Sequence, residues 1–143
     1  MDKSDFDLRD FMPYLLNMAA EEASLEFQQY YKGRYGMLRT EWRVLFHLGR
    51  YGEMTAKTIC DRARIHKTKV SRAVSALEQK RFLSRKEVEE DRRHELLRLT
   101  NNGVSAYNDI SAKAKEFDEK LVRPFSVEEQ SILRQCLIKL ANL

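Results

Sequence analysis

Residues that break helices are scarce: the sequence holds five glycines and two prolines in 143 positions. That scarcity, beside a hydrophobic share of 43%, argues against a loop-rich protein and for a mainly helical one. Long apolar runs are missing as well. No segment approaches the roughly 20 apolar residues that a membrane-spanning helix needs. The opening Met1-Asp2-Lys3-Ser4-Asp5 is acidic and lacks the apolar centre of an export signal. No membrane partner is expected, and the expected location is the cytoplasm. Cys60 and Cys136 stand far apart with no CxxC spacing, so buried free thiols in a reducing compartment are expected. The histidines, His47, His66 and His94, form no HxxxH or HExxH pair, so neither a metal nor a cofactor is expected. There is no Gly-rich phosphate loop, Ser/His/Asp grouping or paired-carboxylate motif. An enzyme would therefore have no candidate catalytic residue. The length suits one domain with a real core and leaves no room for a second.

What is present is charge, unevenly placed. The net charge is +4, yet residues 55–86 hold ten Lys or Arg against only Asp61 and Glu78. That stretch stands at +8 and the remainder of the chain at −4. Charge concentrated on one module of an otherwise acidic chain is the footprint of phosphate binding. A solvated basic face would explain the count equally well, but not its coincidence with the element described next.

Residues 54–100 read as two short helices, a tight connection and a β-hairpin. Val70, Ala73, Val74 and Leu77 fall at the spacing of one buried helix stripe. The opposite side carries Thr68, Arg72, Ser75 and Gln79, flanked by Lys69 and Ser71, with no acid before Glu78. Hydroxyl, amide and guanidinium groups on such a face can reach base edges and phosphates in a major groove. An ordinary solvated helix face is the alternative. Residues 82–88 and 94–99 have strand-like content, and Glu89-Glu90-Asp91-Arg92-Arg93 between them suits a hairpin tip.

A helix-turn-helix followed by a basic-tipped hairpin is a winged-helix order, and its details resemble the MarR family of transcriptional regulators. The residues that carry the resemblance are Glu41-Trp42-Arg43-Val44-Leu45, Lys67-Thr68-Lys69-Val70-Ser71-Arg72, Asp91-Arg92-Arg93 and Leu99-Thr100. It covers most of the chain. It implies a winged helix-turn-helix lobe over about 38–100, with dimerisation helices over about 8–34 and 101–143, all in one domain. It also implies a homodimer on a pseudo-palindromic double-stranded DNA operator, most often as a repressor released by a small, often aromatic, effector. The alternative is a winged-helix module that makes protein contacts without specific DNA binding.

Arg64, Lys67, Thr68, Lys69, Ser71, Arg72 and Ser75 are the expected DNA contacts of the helical part, Lys67 and Lys69 mainly to the backbone. In the wing, the resemblance assigns Arg93 to the minor groove; Arg92 would meet a flanking phosphate and Asp91 would orient the tip. The family often has Gly at Arg64 and at Arg81, which implies left-handed turns there.

Elsewhere, a first helix is expected from residue 10 to about 31, with Pro13 in its first turn, and a connection over 32–39. Its aromatic residues, among them Phe11 and Tyr14, serve either as core or as walls of an effector pocket. Tyr14, Phe27, Tyr30 and His47 are the effector candidates, each also readable as plain core. A second helix is expected from Thr40, as N-cap, to about Gly49, and a third capped by Thr55 and ending near Ala63. His66 is a poor N-cap for the recognition helix, leaving Thr68 or water to satisfy its first amides. Thr100 should cap a helix to about Val122, stopped by Pro124. Ser126 and Glu129 have capping-box spacing for a last helix, whose apolar stripe Ile132, Leu133, Cys136, Leu137, Leu140 calls for a second chain.

Overall fold

The first helix, α1, runs over Met12–Tyr35, after a 3-10 turn at Leu8–Asp10. Pro13 sits in its first turn, where the missing N–H costs nothing. The helix is longer than expected: it passes through Gly33 and stops only at Gly36, which takes φ +65°. An exposed helical Gly costs only about 1 kcal/mol, and the contacts of Tyr30, Tyr31 and Tyr35 hold the last turn in place. Helix α2 spans Arg39–Tyr51. Its N-cap is Leu38, not Thr40, and the Glu41 carboxylate accepts the Leu38 N–H at 3.0 Å.

Strand β1, Met54–Thr55, leads into α3, Ala56–Ala63, which Thr55 caps by accepting the Thr58 N–H at 3.2 Å. Helix α4 covers Lys67–Gln79, and β2 and β3 cover Leu83–Val88 and Asp91–Leu99. Helix α5 occupies Asn101–Val122 behind a Thr100 cap, and α6 occupies Val127–Ala141 behind the Ser126–Glu129 capping box. The computed structural model describes residues 5–88 and 91–143, with residues 88 and 91–94 as backbone only. The fold is mainly helical with a three-stranded antiparallel sheet, in the order β1-β3-β2.

The sheet departs from a plain hairpin in two ways. Met54 and Thr55 pair with Leu97 and Leu96, adding a strand that no local pattern announced. The connection is shorter than the five residues expected: Val88 pairs with Asp91, and an irregularity separates it from the Glu87–Glu95 pair. The backbone of Asp91, Arg92 and Arg93 thus belongs to β3. Their side chains, and Glu89 and Glu90 entirely, lie outside the described residues.

The chain forms two compact units. The larger, Leu25–Ala112, contains the helix-turn-helix and the sheet. Its core packs Val44, Leu45 and Leu48 of α2, Ile59 of α3, Val70, Val74 and Leu77 of α4, Leu97 of β3 and Ile110 of α5. Each such side chain contributes about 1.5–3 kcal/mol by leaving water. Phe27, Tyr31, Trp42, Phe46 and Tyr107 extend this core as a chain of ring contacts. The smaller unit comprises the chain up to Ser24 and from Lys113 on. It is apolar on its surface: Leu15 and Met18 of α1 and Ile132, Leu133, Leu137 and Leu140 of α6 are all exposed. The expectation of two buried thiols fails, since Cys136 is exposed with them and Cys60 is half-buried.

Candidate nucleic-acid interface

The turn before α4 is fixed from three sides. Arg64 adopts the left-handed conformation, at φ 54° and ψ 45°, as a residue in a Gly-type turn must. From α2, the Arg43 guanidinium reaches across and donates to the Ala63 carbonyl at 2.8 Å. That bond satisfies one of the open carbonyls that end α3. Burial, with the neighbouring charge of Arg39, holds the Arg43 pKa below its ordinary value, though a guanidinium stays charged throughout the physiological range. His66 then caps α4 itself: its Nδ1 accepts the Thr68 N–H at 3.2 Å. The expectation that this cap would fail is corrected by geometry, because an imidazole with a bare Nδ1 reaches the amide two residues on.

Helix α4 divides as its periodicity requires. Val70, Ala73, Val74 and Leu77 are buried, while Lys67, Thr68, Lys69, Ser71, Arg72 and Ser75 are all exposed, as is Arg64 just before the helix. The first turn holds no acid. Lys67 and Lys69 therefore add positive charge to the positive end of the helix dipole, an arrangement that repels itself until an anion arrives. Ser75 is engaged by Arg85 of β2, whose Nη2 lies 3.4 Å from its Oγ. Arg85 also pairs with Glu78 of α4 at 3.1 Å and Glu95 of β3 at 3.2 Å. It is a strut from the sheet to the outer end of the helix, and sequence reasoning assigned it no role.

The exit of α4 was missed too. Lys80 counts in the sequence as one more basic residue, yet its Nζ lies 2.6 Å from Oε1 of the buried Glu41 and 2.8 Å from the Gly36 carbonyl oxygen. Arg81 follows in the left-handed conformation, φ 63°, as expected at a Gly-type position. Thr100 Oγ1 donates to its carbonyl at 2.6 Å and accepts the Gly103 N–H at 3.1 Å, which ties the exit of α4 to the start of α5.

Three of the effector candidates have described contacts within the larger unit. Phe27 packs edge-on against Tyr31 and Trp42. The Tyr30 hydroxyl donates to Asp109 of α5 at 2.8 Å, and Asp109 also receives Tyr35 and Arg34. Burial and the bond to Asp109 raise the Tyr35 pKa, so this phenol remains a donor at neutral pH. His47 shares a hydrogen bond with the Arg43 carbonyl at 2.6 Å. Tyr14 belongs to the smaller unit. A cavity of about 570 Å³ lies elsewhere, lined by Thr55, Lys57, Cys60, Lys67, Ser71 and Arg85 among others. No group of three or more metal-ligating side chains occurs among the described residues, and no described helix is long and apolar enough to cross a membrane.

Comparison with known proteins places this geometry. A model of the MarR family matches residues 35–94. The uncharacterized HTH-type transcriptional regulator YwoH of Bacillus subtilis is 30% identical over 96 residues, 67% of this chain and 69% of that protein. A MarR/EmrR family transcriptional regulator from Acinetobacter sp. ADP1 superimposes with a TM-score of 0.83 at 28% identity, covering 96% of both chains. BpsR of Bordetella bronchiseptica, whose DNA binding is regulated by 6-hydroxynicotinic acid, superimposes with a TM-score of 0.88 at 18% identity, covering 98% of this chain and 99% of that one.

Proposed function

The chain belongs to the MarR family of DNA-binding transcriptional regulators, and on that premise we propose that it is a cytoplasmic homodimer that represses transcription from a pseudo-palindromic operator until a small effector releases it. The observation that carries the DNA part is the exposed face of α4, with Thr68, Ser71, Arg72 and Ser75 on it, no acid in its first turn, and Lys67 and Lys69 at its positive end. Thr68, Ser71, Arg72 and Ser75 read bases or adjoining phosphates; Arg64, Lys67 and Lys69 hold the backbone. Arg92 and Arg93 serve the flanking phosphate and the minor groove, oriented by Asp91. The winged lobe spans about 38–100, and the terminal helices on either side, about 8–34 and 101–143, make the dimer. The support for the dimer is the apolar surface of α6, where Ile132, Leu133, Leu137 and Leu140 are exposed. A monomer of this size has no use for so continuous a patch.

Release by a small aromatic effector draws support from BpsR, which responds to such a compound. An effector needs only a few kcal/mol of preference for the conformation whose recognition helices are wrongly spaced. Tyr14, Phe27, Tyr30 and His47 remain the candidate effector contacts. The cavity bordered by Lys67 and Ser71 supports a second route, in which an occupant displaces DNA from α4 directly.

Selection of duplexes from a random-sequence library tests the reading. Enrichment of an inverted repeat with half-sites about one helical turn apart is expected, together with a dimer in analytical ultracentrifugation. Salt-sensitive binding without enrichment would instead favour a nonspecific winged-helix module.

A further inference from the structure

We infer that Lys80 is a positioning residue for DNA recognition: with the buried carboxylate of Glu41 it latches the outer end of the recognition helix to the start of α2 and to the α1–α2 connection. The inference rests on α4 being the helix that reads DNA. Lys80 is the last turn's cap, with its own N–H donating to the Ala76 carbonyl. One residue later Arg81 turns the chain left-handed toward β2. Lys80 therefore stands at the pivot where α4 hands over to the wing.

Its side chain is 32% exposed, but the ammonium is already engaged by two acceptors of the fold. Nζ donates to Glu41 Oε1 at 2.6 Å and to the Gly36 carbonyl at 2.8 Å, while Glu41 Oε2 accepts the Leu38 N–H at 3.0 Å. Glu41 is only 4% exposed. A carboxylate that deep is costly unless paired and hydrogen-bonded, so the pair has one favourable arrangement and resists sliding. The positions proposed to read bases begin at Thr68, about 18 Å along the helix from Lys80. Over that lever a tilt of a few degrees moves the reading face by about 1 Å, enough to misalign bidentate contacts to base edges while leaving phosphate contacts adaptable. The latch should thus govern preference among sequences more than overall attraction to DNA.

The experiment compares wild type, Lys80→Met, Glu41→Gln and the double variant Glu41→Met/Lys80→Met. Each is titrated against the duplex that wild type enriches from a random library and against a scrambled duplex, over a range of salt. Circular dichroism reports folding, and the double variant, which removes both buried charges together, is expected to fold even if a single one does not. The inference expects every folded variant to lose about tenfold or more on the enriched duplex while scrambled-duplex affinity and its salt slope stay near wild type. Glu41→Gln is the most telling, because removing an acid should on charge alone tighten DNA binding. Equal losses on both duplexes with a slope reduced by about 1 would make Lys80 a phosphate contact. Undiminished preference in Glu41→Gln or the double variant would overturn the latch alone. A wild-type protein that enriches no sequence would overturn both the latch and the operator reading.

Discussion

Replacing Arg81 by glycine is expected to stabilise the protein. Arg81 sits at φ 63°, in the left-handed region, directly after the recognition helix. A side chain in that conformation costs about 1–2 kcal/mol that glycine does not incur. Glycine's larger freedom in the unfolded chain takes back about 0.5–1 kcal/mol. The contacts made at this position are those of the backbone: the carbonyl accepts from Thr100 Oγ1 at 2.6 Å and the N–H donates to the Glu78 carbonyl at 2.9 Å. Glycine keeps both, and the Arg81 side chain it removes is exposed. The net gain should be about 0.5–1 kcal/mol, a rise in Tm of about 2–4 °C for a chain of this length. Urea unfolding followed by circular dichroism would measure it, at one protein concentration because dimer stability varies with concentration. The dependence on urea should keep its slope, since no buried surface changes. A midpoint that falls would refute the reasoning and show that the Arg81 side chain holds a contact worth more than the strain.

Two further substitutions probe the packing and the wing. Gly103→Ala should destabilise by about 2–3 kcal/mol or more, because the added Cβ would stand 1.9 Å from the Phe82 carbonyl oxygen and 3.2 Å from Leu99 Cβ; a melt unchanged from the parent would contradict that close approach of α5 to the backbone. Arg93→Ala should leave folding and dimerisation intact and weaken DNA binding most on sites with A·T-rich flanks, where a narrow minor groove concentrates negative potential; equal affinity on such sites would remove the wing from the mechanism.

Much of the winged lobe was legible because it is written in local pattern. The stripe of Val70, Ala73, Val74 and Leu77 gave the buried face of α4, and the caps Thr55, Thr100 and Ser126 gave the starts of three helices. What escaped depends on distant partners. β1 is two residues long and exists by pairing with Leu96 and Leu97, more than forty positions away, so no periodicity could announce it. The extension of α1 through Gly33 is held by Tyr35 and Asp109, which meet only in the folded chain. Lys80 looked like any other basic residue of the module, and the acid that turns it inward lies 39 positions upstream. For the candidate site, sequence could name the exposed groups of α4 but not the supports behind them: Arg43 on the Ala63 carbonyl, Arg85 between sheet and helix, and the Glu41 latch.

If α4 reads base sequence, the loss of Arg72 should reveal it. Arg72 is exposed midway along the helix, immediately before the buried pair Ala73-Val74. Binding isotherms of wild type and Arg72→Ala on the enriched duplex, on its single-base variants and on a scrambled duplex would decide the matter. The expected result is a loss of about 1–3 kcal/mol on the enriched duplex, a relaxed preference at one base position, and little change on the scrambled one. An equal loss on every duplex would contradict it and reduce Arg72 to a phosphate contact.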